Sequence, residues 1–115
     1  MTPPGWPAAF ALTLLLEAPF YAPTLAGSFG ARTPLVILLL NLATHPIVWF
    51  VFPYTSPWWT GFAAAELFAW LAEAALVAAL SRTPLSRAPI ASDRAALVAL
   101  SANAFSAGVG LLLLG

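Results

Sequence analysis

The chain has 115 residues, of which 62% are hydrophobic and 7% charged, and its formal net charge is zero. A soluble domain carries about 25% charged residues, so this chain lacks the polar surface that water demands, and lipid is its expected surroundings. The absence of cysteine excludes disulfides, thiolate metal sites and cysteine nucleophiles, and the absence of a basic run leaves no electrostatic footprint for nucleic acid.

The length fits a single transmembrane domain over 1–115, an all-α bundle of four spans at about 20 apolar residues per span. The first span is expected over about 6–26. No Lys or Arg precedes it in MTPPGWPAAF, so it reads as a retained helix rather than a cleavable signal. Gly27 and Gly30 are expected to end it in a turn through Thr33. The second span is expected over about 34–52, opened by Pro34, and residues 53–57 read as a second turn. The third span covers about 58–80. A longer loop, 81–92, contains Pro84 and Pro89. The fourth covers about 93–114, with Ser92 or Asp93 as its N-cap.

All the basic residues fall in two places: Arg32 in the first loop, and Arg82, Arg87 and Arg94 in or beside the third. In a serpentine of four helices those loops share a side, which the positive-inside rule makes cytoplasmic. The N and C termini then face outward. Trp6, Tyr54, Trp58 and Trp59 are placed to form the outer aromatic belt.

The two helical hairpins align on their rare polar letters. Glu17-Ala18 matches Glu73-Ala74, Asn41 matches Asn103 and Thr44 matches Ser106, with a gap of about six residues in the longer loop. This pattern suggests two tandem parallel hairpin repeats about an axis along the membrane normal. His45 falls opposite Ala107, and Glu66 opposite Phe10, so any site is asymmetric in its chemistry.

At 1.5 Å rise per residue, Glu17, Asn41, Glu73 and Asn103 all lie roughly 10–14 Å from the cytoplasmic ends of their spans. His45 lies about one turn further out, and Glu66 is nearer the outer third. Asn41 and His45 share a face at i, i+4, as do Glu66, Trp70 and Glu73 at i, i+4, i+7. An acid at the centre of a span costs roughly 2.5–3.5 kcal/mol, so these groups are expected to face the interior and one another. Pro19 and Pro46 are expected to kink their helices and free the carbonyls of Leu15 and Leu42. Ala65, Ala69 and Ala72, and Ala102, Ser106 and Gly110, have small-residue spacing for close packing.

Glu17, His45, Glu66 and Glu73 are the candidate metal ligands, because carboxylate and imidazole suit a divalent metal ion such as zinc, iron or manganese. Asn41, Thr44, Asn103 and Ser106 are the supporting polar residues. Clustered carboxyls that repel and desolvate one another also suit a proton relay or proton-coupled carrier. No catalytic set is evident, and the balance leans away from an enzyme. The rival role is a structural or accessory subunit of a larger membrane complex, with His45 as an axial ligand to haem or a pigment. A homodimer is the other partner expectation.

At Glu17-x-Pro19, Asn41-Leu-x-Thr-His-Pro46, Glu66 to Glu73 and Ser101-x-Asn103-x-x-Ser106, most of the chain resembles a widespread, uncharacterised set of small bacterial four-helix integral membrane proteins. That resemblance implies a fold and a bacterial inner-membrane location, and no activity.

Overall fold

The computed structural model describes residues 5–52 and 58–114. They form α1 (Trp6–Phe29), a 3-10 turn (Gly30–Arg32), α2 (Thr33–Phe50), α3 (Trp58–Leu80) and α4 (Ser92–Leu114). Pro7 and Pro34 stand in the first turns of α1 and α2, where the missing N–H would be unpaired anyway. Three continuous helical stretches, Trp6–Phe50, Trp58–Leu80 and Ser92–Leu113, are long and apolar enough to cross a membrane. The first folds back on itself at Gly30, so that α2 runs alongside α1. Each helix packs on its neighbours in chain order, and α4 closes the ring against α1. The bundle measures 44 × 22 × 20 Å, and its length matches a bilayer of about 40–45 Å including headgroups.

The outward faces carry leucines, with Leu15 73% and Leu112 86% exposed. Large apolar side chains exposed along several helices mark contact with a nonaqueous surface. The buried core lies toward the arginine-bearing end. There Tyr21, Leu25, Phe29, Val36, Ile37, Leu40, Val77 and Ile90 fill the interior with Ala95, Ala99 and Ala102.

The arginines seal that end. Arg87 donates its backbone N–H to the Ser28 carbonyl at 2.7 Å and a guanidinium N–H to the Ala26 carbonyl at 3.0 Å. Arg32 reaches the Leu85 carbonyl at 3.1 Å, and Arg82 the Ala78 carbonyl at 2.6 Å. The last carbonyls of a helix have no intrahelical partner and carry partial negative charge. Arg87 and Arg82 therefore cap the ends of α1 and α3, while Arg32 ties the first turn to the 81–91 loop.

Several boundaries differ from expectation. Gly27 does not end α1; the helix runs on to Phe29 and breaks at Gly30, whose φ of 56° is open to glycine at little cost. Helix α2 ends at Phe50, before Val51 and Phe52. Neither Ser92 nor Asp93 caps α4: Ala95 N–H already bonds the Ala91 carbonyl at 2.9 Å, and the Asp93 carboxylate accepts from the adjacent Arg94 N–H instead. The helices continue through Pro19, Pro23 and Pro46. Leu15 and Leu42 are exposed, so the positions freed by Pro19 and Pro46 lie on outward faces and not in the polar layer. Gly110 is no packing contact, because a Cβ there would meet nothing within 4 Å. The turn expected at 53–57, with Tyr54, lies outside the described residues.

At Gly30 a Cβ would come within 3.3 Å of the Arg87 guanidinium, on a backbone with positive φ. Gly30→Ala is expected to destabilise the fold by about 1–3 kcal/mol, read as a lower midpoint in detergent-mediated unfolding. Gly27→Ala, with open space around it, should leave the midpoint unchanged or raise it.

Candidate functional site

Above the sealed core the bundle is hollow. A cavity of about 400 Å³ runs from Glu73 and Asn103 toward the helix ends that carry Trp49 and Trp58, and Glu17, Asn41, Thr44, His45, Glu66 and Ser106 also line it. Its other walls include Ala9, Ala69, Ala107 and Gly110. Small side chains at this end leave space that Tyr21, Leu25, Phe29 and Leu40 fill at the other. Every expected site residue thus borders one hollow.

The expected polar layer is present. Glu17, Asn41, Glu73 and Asn103 are each buried, at 2%, 1%, 1% and 5% exposure. Glu73 is the junction of the bundle. Its Oε1 accepts from the Tyr21 hydroxyl at 2.6 Å and from the Asn103 amide at 3.2 Å. Its Oε2 lies 2.8 Å from the Thr44 hydroxyl. Side chains of α1, α2 and α4 therefore converge on one carboxyl group of α3.

Thr44 Oγ1 also lies 3.1 Å from the Leu40 carbonyl. A hydroxyl has one proton to donate, which allows two arrangements of the same heavy atoms. In one, Thr44 donates to an ionised Glu73. In the other, a protonated Glu73 donates from Oε2 to Thr44, and Thr44 donates to Leu40. The carboxyl group can hold or release a proton while only hydrogens rearrange.

Glu17 is treated differently. Its Oε2 accepts from the Ser106 hydroxyl at 3.1 Å. Its Oε1 is buried and accepts from no N–H or hydroxyl among the described residues, and the carboxyl lies within hydrogen-bond reach of the Glu73 carboxyl, with which it can share a proton. Thr44 and Ser106 occupy matching positions, and each bonds the glutamate of the opposite hairpin. Asn41 and Asn103 match too, and each donates to the carbonyl four residues earlier, at 3.0 and 2.8 Å. One turn after Glu17 stands Tyr21, whereas one turn after Glu73 stands Val77. Tyrosine supplies the hydroxyl that crosses to Glu73, and valine has none to send back to Glu17.

His45 lines the cavity but is not tied to the acids. Its Nδ1 accepts from the Trp6 indole N–H at 2.9 Å, and its Nε2 lies 3.2 Å from Thr13 Oγ1, which in turn bonds the Ala9 carbonyl at 3.0 Å. This chain sets the neutral tautomer with the proton on Nε2. Both ring nitrogens are engaged, so neither is presented as an axial ligand. Among the described residues no three of His, Cys, Asp and Glu come close enough together to hold a metal ion. Glu66 borders the cavity and Trp70 does not; its indole N–H bonds the Ala96 carbonyl of α4 at 2.8 Å.

Reading the sequence missed Tyr21, Thr13 and the second role of Trp6. The signal for Tyr21 was its position one turn after Glu17, on the same helix face. Compared with protein-family models, curated proteins and solved structures, the chain matches none.

A double-mutant cycle tests the junction. Tyr21→Phe and Glu73→Gln should show an interaction energy of about 0.6–1.7 kcal/mol, the range of hydrogen bonds between membrane helices. Strict additivity in detergent-mediated unfolding would mean that this bond adds nothing to stability. Leu97→Ala on the exposed face is the control and should leave the cycle unchanged.

Proposed function

We propose that this chain crosses a bacterial inner membrane four times, as two related hairpins, and holds a proton or another small cation in its hollow half. Glu17, with Glu66 beside the same cavity, receives the charge, and Glu73 stores or releases a proton through the Thr44 exchange. The arginine-capped end faces the cytoplasm and the termini face outward, which supports loading from the outer side. The observation that carries this reading is the pair of carboxyl groups, Glu17 and Glu73, buried within hydrogen-bond reach of each other beside the cavity. Two ionised carboxyls side by side out of water repel one another, and a proton or cation arriving between them removes that cost.

The two acids divide the work. Glu73 is held by three donors from three helices, which suits a structural keystone. Glu17 has one hydroxyl donor, Ser106, and the Glu73 carboxyl as its other neighbour, which suits the group that takes up the charge. No proton or cation pathway below the acid layer is evident, because the buried core closes that half. Uptake from one side and return to it, with Glu73 as the store, is the simplest cycle the geometry supports.

Dicyclohexylcarbodiimide, an apolar reagent that attacks buried carboxyl groups, checks this assignment. Mass spectrometry should find its adduct on Glu17, lost in Glu17→Gln. Labelling confined to Asp93, or no labelling at all, would overturn the assignment.

A further inference from the structure

His45 is the chain's one histidine, and neither the Glu73 junction nor the acid pair uses it. We propose that His45 Nδ1 is a second proton-binding site, at which an arriving proton displaces the Trp6 indole and parts the unjoined ends of α1 and α2. The inference rests on the loading reading above for its purpose, and adds to it what opens the hollow.

Two side chains of α1, Trp6 and Thr13, reach across to α2, and both end on His45. Thr13 donates its one hydroxyl proton to the Ala9 carbonyl at 3.0 Å. Its oxygen therefore accepts from His45 Nε2–H, at 3.2 Å. That leaves the Nδ1 lone pair for the Trp6 indole N–H, at 2.9 Å. An imidazolium donates from both nitrogens and accepts at neither. A proton and the indole N–H thus compete for one lone pair, and the two states exclude each other.

The position of the bond gives that competition a mechanical consequence. Trp6 is the first residue of α1, and the chain joins α1 to α2 at the other end, through Gly30–Arg32. Phe10 stands edge-on to His45 at 5.6 Å, and Trp49 lies near-parallel to it at 6.2 Å. Trp6 packs on Phe10 at 5.1 Å and on Phe50, the last residue of α2, at 6.1 Å. The Trp6 ring closes a seam between the two helix ends, and His45 borders the hollow behind it. An N–H set against an N–H drives the indole away, and the seam loses the bond that fixes its end.

The surroundings of His45 can hold the charge. Facing the same hollow, α1 presents Glu17 and α3 presents Glu66 and Glu73. Among the described residues, α4 presents no ionisable group to it, and α2 presents none besides His45. Arg32, in the 3-10 turn, lies at the opposite end of α2. An imidazolium here meets carboxyl groups and no cation. No metal-ligand cluster among the described residues includes this ring. Histidine is also the side chain whose charge ordinarily changes between about pH 5 and pH 8.

The test uses the full chain in lipid nanodiscs, with ¹⁵N in its tryptophan indoles. Trp6→Phe identifies the Trp6 indole signal by its loss. Acidification from about pH 8 to about pH 5 should move that signal reversibly. His45→Gln, polar but unable to titrate, should abolish the movement while helical circular dichroism stays the same. Glu66→Gln controls for the neighbouring acids and should leave the movement in place. Spin labels on Ala8→Cys and Ile47→Cys, both exposed, read the separation of the helix ends. Acid should widen that distance by several ångströms, and Trp6→Phe should remove its dependence on pH. A Trp6 signal indifferent to pH, a movement that survives in His45→Gln or vanishes in Glu66→Gln, or a label distance that acid leaves unchanged would overturn the proposal. A carbodiimide adduct on Glu17 beside a pH-indifferent Trp6 would overturn this inference alone. A moving Trp6 without that adduct would overturn the loading reading alone.

Discussion

A carboxyl group taken out of water must find donors, carry a proton or meet a cation. In this bundle that constraint is met on Glu73 by the Tyr21 hydroxyl, the Thr44 hydroxyl and the Asn103 amide. Helices in lipid gain little from apolar burial against one another, so directional bonds of this kind fix their relative placement. Tyr21 crosses the diagonal from α1 to α3, where the Glu17 and Glu73 carboxyls also meet although the two helix backbones do not pack together. The register of each hairpin against the other follows from where that one carboxyl group sits.

The rest of the architecture divides at this layer. Toward the arginines, large side chains close the interior, and Arg87 bonds the last carbonyls of α1. Toward the tryptophans, alanine and glycine leave a hollow bordered by three glutamates. A sealed half and a hollow half meeting at an acidic floor form a pocket and not a pore. Glu17 borders that pocket, with the Ser106 hydroxyl and the Glu73 carboxyl as its neighbours.

Much of this was legible in the residues. Rare polar letters in apolar helices gave the layer of Glu17, Asn41, Glu73 and Asn103, because burying them at random is too costly. Helix α3 matched its expected limits of 58 and 80, since Leu80 is followed by a segment with Pro84 and Pro89. The hollow was not legible. It arises from which small residues face one another across four helices, and alanine is common on every face. Tyr21 went unremarked because nothing in a helix's own sequence says that its hydroxyl reaches an acid 52 residues away. His45 shares a helix face with Asn41, but spacing could not show that Trp6, 39 residues earlier, would take its Nδ1. The arginines were read as a topology signal, and their capping of helix ends depended on the fold of the 81–91 loop.

The lack of native cysteine allows the central claim, a hollow half above a sealed half, to be tested with single thiols on one helix. Ala107 borders the cavity and Ala102 lies in the closed core. A small charged methanethiosulfonate, added on the side opposite the arginines, should modify Ala107→Cys readily and leave Ala102→Cys intact. An inert Ala107→Cys, or equal labelling of the two, would contradict the account.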